Sequence, residues 1–169
     1  MGIVSFFKEA GQKLFGHKDA EVAAQAAQSA PDDAALQARV AAANAKAGEA
    51  ITAYVATQNL AADGLSVEFD AVTSTVTVSG VAPDQATKEK ILLCCGNVHG
   101  VGHVSDLMTV AQPAGESQYH TVAKGDTLSA IAKKFYGNPN EYPKIFEANK
   151  PMLGHPDKIY PGQLLRIPA

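Results

Sequence analysis

The spacing of apolar residues predicts two helices early in the chain, a short one at the amino terminus and a long alanine-rich one after it. Five apolar residues recur at helical spacing near the amino terminus: Ile3, Phe6, Phe7, Ala10 and Leu14. We therefore predict a short amphipathic helix that docks on the domain behind it. After an interruption at Pro31, alanine-rich sequence with high helix propensity predicts one long helix from about Asp33 to Gln58. Large apolar residues concentrate in its second half, so that half is expected to pack better.

Alternating and helical patterns then continue over residues 64–110. Residues 64–70 and 75–80 alternate between apolar and polar side chains, which is typical of half-buried strands. A helix is predicted from Pro83 to about Asn97, a glycine loop at residues 99–103 and a third strand at residues 104–110. We expect the third strand beside an earlier one and the helices on one face of the sheet.

A second block begins after residues 111–117, which have the composition of a linker. It predicts a strand at residues 119–122, a helix at 127–135 capped by Asp126, a helix at 142–149 and a strand at 164–167. The fold class is therefore α+β, with an αββαβ domain followed by a βααβ domain.

Charge and composition exclude several classes of protein. The 14 Lys and Arg against 17 Asp and Glu leave a net charge of −3, without the basic footprint of a nucleic-acid binder. No apolar run is long enough to span a membrane. Adjacent Cys94 and Cys95 cannot join distant segments by a disulfide. The first residues lack a secretory signal pattern, so we expect a cytoplasmic protein.

The chemistry-bearing residues do not predict an enzyme. His99 and His103 flank two glycines and have no acid or cysteine clearly placed to complete a zinc site. Cys94 and Cys95 have no obvious base partner, and no phosphate-binding loop occurs. We therefore expect no catalytic residues and interpret these histidines as loop residues.

The last fifty or so residues resemble a LysM domain. The match covers the opening Tyr119–Leu128, the middle Ile131 to Gly137, the second helix Ile145–Asn149 and the closing segment Ile159–Pro168. Many matching positions occur in the right order over the whole module. The resemblance implies a βααβ fold.

The preceding segment resembles a BON domain, on Val76–Gly80 and Gly100–Asp106. The two modules together, behind an aromatic start, are similar to the family of bacterial cytoplasmic potassium-binding proteins, which are often described as LysM/peptidoglycan-binding proteins. Further similarities lie at Phe7–Leu14, Ala86–Leu92 and Ile145–Leu153. We expect a docking helix over 1–17, an alanine-rich helical insertion over 18–48, BON over 49–110, a linker over 111–117 and LysM over 118–169.

The family resemblance implies a potassium ion as ligand and an ion-sensing role. Backbone carbonyls at helix ends and in glycine loops suit this large, singly charged ion. The carbonyls expected to bind it belong to Phe7, Ala10, Gly11, Gly96, Asn97, His99, Gly100 and Val101. Without the resemblance, these glycines are interpreted as ordinary caps and turns.

Binding of peptidoglycan or N-acetylglucosamine is the alternative function, implied by the LysM resemblance. The residues expected to line that groove are Gly125, Asp126, Thr127, Leu128, Pro151 and Met152. A third hypothesis is that the LysM domain contacts the BON domain and moves when the ion binds. We expect a monomer with neither a nucleic-acid partner nor a membrane span.

Overall fold

A computed structural model describes residues 2–6, 11–14 and 17–169 and confirms the α+β fold class. The elements of the first part are β1 (Gly2–Ser5), α1 (His17–Ser29), α2 (Ala34–Thr57), β2 (Asp63–Asp70), β3 (Thr75–Asp84), α3 (Gln85–Gly96) and β4 (His103–Gln112). Those of the second part are β5 (Gln118–Thr121), α4 (Leu128–Tyr136), a 3-10 helix (Pro139–Glu141), α5 (Tyr142–Ala148) and β6 (Leu164–Ile167).

The first part is built on a four-stranded sheet with the order β1-β4-β3-β2. β3 and β4 are parallel, because α3 carries the chain back over the sheet between them, and the other pairs are antiparallel. The predicted third strand therefore lies beside β3. Val76, Val78 and Val104 are fully buried in the core that the sheet shares with the helices.

The amino-terminal segment differs from its prediction. Residues 2–5 form β1, which pairs antiparallel with β4, so the helix predicted over residues 1–17 is wrong there. The helical spacing of apolar residues is a local pattern, whereas the free edge of β4 offers a row of backbone hydrogen bonds. Phe7 and Ala10 lie outside the described residues.

The long alanine-rich helix has the predicted start and the predicted buried half. Asp33 is its N-cap, and the Asp33 Oδ1 atom accepts hydrogen bonds from the backbone N–H groups of Ala35 and Leu36, at 2.9 and 3.1 Å. Burial concentrates in the second half, at Ala47, Ile51 and Val55.

The second part has a core of its own, between the β5–β6 pair and the two helices. The N-cap of α4 is Thr127 rather than the predicted Asp126, and Thr127 Oγ1 accepts a hydrogen bond from Ala130 N at 3.1 Å. The Asp126 carboxylate instead accepts from Ala123 N at 2.9 Å and lies 2.8 Å from His120 Nε2. These partners precede it in the chain, so Asp126 closes the turn before the helix.

Candidate functional site

The loop that follows α3 is the centre of the candidate ion site. α3 ends at Gly96, and Asn97 closes its last turn by donating its backbone N–H to Leu93 O at 2.9 Å. Val101 N then donates to Val98 O at 3.1 Å, which folds the loop back on itself. The last carbonyls of a helix lack intrahelical partners and lie at the negative end of its dipole, so this position attracts cations.

The segment Gly11–Gln12 lies directly against this loop. Gln12 N donates to Asn97 O at 2.9 Å, and His99 N donates to Gln12 O at 2.9 Å. Gly11 has a φ of +106°, and a Cβ atom there would lie 2.2 Å from Asn97 O. Only glycine fits so close a backbone approach in that conformation. The structure thus brings together Gly11, Asn97 and His99, three of the predicted carbonyl donors.

Phe6 is a neighbour of this loop that the sequence analysis placed on a helix face instead. Its backbone N–H donates to Gly102 O at 2.8 Å, which continues the contact between the first residues and the loop. Its ring lies on Gly96, where an added Cβ would lie 2.0 Å from the ring. Gly96 therefore makes room for an aromatic side chain. No local pattern could have indicated this contact, because it depends on β1 pairing with β4.

Three further predicted carbonyl donors lie at the end of α3 and in the loop after it. Gly96 is the last residue of α3, and Gly100 and Val101 lie in the loop, with Gly100 at φ +99° and Val101 fully buried. Within the ranges described above, no three His, Cys, Asp or Glu side chains are grouped so that they could hold a metal ion. The donors predicted at this loop are backbone carbonyl oxygens, which are neutral ligands that suit a weakly hydrated monovalent ion.

The side chain of Asn97 points away from that backbone contact and toward the second domain. Asn97 Nδ2 donates to Leu164 O, and Asn97 Oδ1 accepts from Leu164 N, both at 3.0 Å. One residue therefore contacts Gln12 through its backbone and β6 through its side chain.

A second contact joins the domains at Glu89, which is 1% exposed. Its carboxylate pairs with Arg166 of β6 and accepts hydrogen bonds from Ser117 N at 2.9 Å and Gln85 Nε2 at 2.8 Å. Burial alone raises the pKa of Glu89, but these hydrogen bonds outweigh it and the net pKa is lowered. No local sequence pattern indicates this pair, because its two members are 77 residues apart.

A cavity of about 240 Å³ lies where the two domains meet beside the Asn97 loop. The first domain contributes Gln12, Tyr54 and Asn97, and the second contributes residues between Met152 and Gln163. Met152 also packs against the hydrophobic core of the first domain. The loop after α5 therefore faces the first domain.

The residues predicted to bind glycan are largely engaged within the protein. Leu128 is buried, and the Thr127 and Asp126 side chains are used in the cap and turn described above. Gly125 has open space around it and Pro151 is exposed, whereas Met152 packs on the first domain. Within this set, the structure leaves Gly125, Thr127 and Pro151 exposed.

The two cysteines do not form a disulfide and are both buried in α3. Burial raises the pKa of Cys94 to about 12 and that of Cys95 well above its usual value. Both thiols therefore stay protonated at neutral pH and behave as small core residues rather than nucleophiles.

Comparison with known proteins identifies both modules. A BON domain model matches residues 32–112, and a LysM domain model matches residues 120–168. Over 107 residues, the chain is 55% identical to "Potassium binding protein Kbp" of Escherichia coli O6:H1, covering 63% of this chain and 70% of that protein. Over 58 residues it is 47% identical to an uncharacterized protein of Deinococcus radiodurans, covering 34% of this chain and 22% of the relative.

The BON match begins inside the alanine-rich region, whereas the sequence analysis placed that boundary at residue 49. Among the described helices, none has the length and hydropathy needed to cross a membrane. The resemblance to this family is confirmed. The chain, with its BON domain followed by a LysM domain, belongs to the family of Potassium binding protein Kbp.

Proposed function

We propose that this protein binds and senses K⁺ in the cytoplasm through a cage of backbone carbonyls. The observation that carries the proposal is the 55% identity to Potassium binding protein Kbp. The meeting of Gly11–Gln12 with the carbonyl end of α3 supports it, because neutral oxygens are the ligands expected for K⁺. The proposed donors remain Phe7, Ala10, Gly11, Gly96, Asn97, His99, Gly100 and Val101.

A binding protein of this kind needs no catalytic residues, and we propose that the chain has no enzymatic activity. We also propose that it acts as a monomer in which the BON and LysM domains contact each other and rearrange when K⁺ binds. The contacts of Asn97 with Leu164 and of Glu89 with Arg166 support this arrangement. Light scattering in the presence and absence of K⁺ tests the oligomeric state.

The experiment that tests K⁺ binding is a calorimetric titration with K⁺ and with Na⁺ at matched ionic strength. We expect heat from K⁺ alone, with a dissociation constant below about 1 mM, which corresponds to a binding free energy of more than about 4 kcal/mol. A variant lacking residues 1–11 is the matched control and should give no heat with K⁺, because it loses β1, Gly11 and the proposed donors Phe7 and Ala10 but leaves the LysM core untouched. Equal responses to K⁺ and Na⁺, or no response to either, would contradict the proposal.

Glycan binding by the LysM domain is the alternative, supported by the domain match at residues 120–168. It is not favoured, because Asp126 and Leu128 are engaged internally and Met152 packs on the BON domain. Titration of the full chain with soluble N-acetylglucosamine oligomers, together with cell fractionation, separates the two functions. Wall-associated protein with saturable oligomer binding would favour the alternative.

A further inference from the structure

We infer that the Asn97 side chain couples the candidate cation site to the LysM domain, so that ion binding and LysM docking strengthen each other. The inference rests on the proposed function and identifies a positioning residue for it. The side-chain atoms of Asn97 are not among the proposed ligands, which are all backbone carbonyls. The coupling can therefore be removed without deleting a carbonyl.

Asn97 is a residue that contacts both the amino-terminal segment and the LysM domain. Its carbonyl accepts from Gln12 N at 2.9 Å, which ties the loop after α3 to the amino-terminal segment. Its side-chain amide forms a reciprocal pair with Leu164, donating to Leu164 O and accepting from Leu164 N. These two hydrogen bonds satisfy the backbone groups of Leu164 as a neighbouring strand would. A shift of the loop after α3 therefore displaces the backbone of β6 in the LysM domain.

The contacted strand is firmly held inside the LysM domain. β6 pairs with β5, and Arg166 N donates to Asn149 Oδ1 at 2.8 Å while Asn149 Nδ2 donates to Arg166 O at 2.8 Å. Asn149 is itself buried. A displacement at Leu164 therefore moves the LysM domain as a unit.

The Glu89–Arg166 pair is a second contact between α3 and β6, about two helical turns before Asn97. Two anchors on one helix fix the direction of β6 relative to α3, and hence the position of the loop at the end of that helix. Carbonyls held in place before the ion arrives lose less conformational freedom on binding it. By thermodynamic linkage, a domain contact that raises ion affinity is itself strengthened by the ion.

Asn97→Ala in the full chain tests the coupling, because it deletes the side-chain amide and keeps every backbone carbonyl. We expect its K⁺ affinity to fall about tenfold, equivalent to about 1.4 kcal/mol. We also expect K⁺ to slow hydrogen exchange at residues 164–167 in the unsubstituted protein but not in this variant. That second readout distinguishes coupling from a general loss of stability.

Asn44→Ala is the matched control, because the Asn44 amide also accepts from a distant backbone group, Ala71 N at 3.2 Å, but within the BON domain. It should leave K⁺ affinity and the exchange response unchanged. Unchanged affinity in Asn97→Ala would overturn the inference while leaving K⁺ binding intact. No K⁺ binding by the unsubstituted protein would instead reject the proposed function.

Glu89→Gln keeps the test decisive if Asn97→Ala does not fold. It weakens the same docking two turns away and changes no atom of the proposed ion cage. Reduced K⁺ affinity together with loss of the exchange response at residues 164–167 supports the coupling. Unchanged affinity in a folded Glu89→Gln protein overturns it.

Discussion

At the scale of single residues, glycine determines how closely the amino-terminal segment approaches the α3 loop. Gly11 combines a positive φ with a position where any Cβ would collide with Asn97 O. Gly11 was predicted from the sequence as a ligand, but this packing role has no local signal, because the colliding atom lies more than eighty residues away. Phe6 against Gly96 is a similar case.

Gly11→Ala is expected to lower the free energy of unfolding by more than about 2 kcal/mol and to weaken K⁺ binding, because strain and collision act together. Gly125→Ala is the matched control: Gly125 has a φ of +90° but open space around its Cβ position. Denaturant unfolding and K⁺ titration of both variants provide the measurement. Equal losses of unfolding free energy and of K⁺ affinity in the two variants would show that the close approach of Gly11 to Asn97 contributes to neither.

The two cysteine thiols allow a second residue-scale prediction. Because both are buried and burial raises their pKa values, we expect them to react far more slowly with a thiol reagent at pH 8 than a free cysteine does. Both should react at the normal rate in denaturant, which serves as the control. Rapid reaction of the native protein would show that α3 opens readily.

At the scale of elements, the pattern of the sequence predicted most of the helices and strands after residue 18, because propensity, capping and alternation agree there. It failed for β1, where pairing with the edge of β4 outweighs helical spacing. It also could not show that α3 contacts β6, since Glu89 within α3 has the ordinary appearance of a surface charge. Its partner, Arg166, lies on the other domain and is identified only by the tertiary structure.

Glu89→Gln is expected to lower the free energy of unfolding by about 2 kcal/mol at pH 7, because Arg166 loses its charged partner. The folded-state pKa of Glu89 lies below its ordinary value of 4.5, so the carboxylate contributes stability above about pH 4.5. That contribution disappears as the pH falls through the lowered pKa. Unfolding of both proteins between pH 3 and 7, about the range of a carboxyl titration, should show the difference shrinking with acid. A difference independent of pH would contradict this role.

At the scale of the whole molecule, the two domains carry opposite net charge. From Gln118 onward there are seven Lys and Arg against four acids, whereas the preceding residues have seven against thirteen. The described interface, however, is made by buried groups, with the Arg166 and Glu89 side chains 12% and 2% exposed. We therefore expect these short contacts to contribute more to the domain arrangement than the overall attraction between the two net charges.

We expect the domain arrangement to persist when choline chloride is raised from about 0.1 M to about 1 M, which shortens the Debye length from about 10 Å to about 3 Å. Such screening weakens attraction between exposed charges but hardly affects a buried pair. Small-angle scattering should give the same radius of gyration at both concentrations. An increase with salt would mean that long-range attraction holds the domains.

The sequence by itself determined the α+β class, the two modules and most element positions, because these depend on local periodicity, capping and turn chemistry. It also led to the prediction that the amino-terminal segment approaches the end of α3. Only the tertiary structure decided that this segment begins as a strand, that Gly11 packs on Asn97, and that Asn97 and Glu89 both contact β6. Such contacts join residues far apart in the chain, and no local pattern records which distant backbone group a side chain will reach.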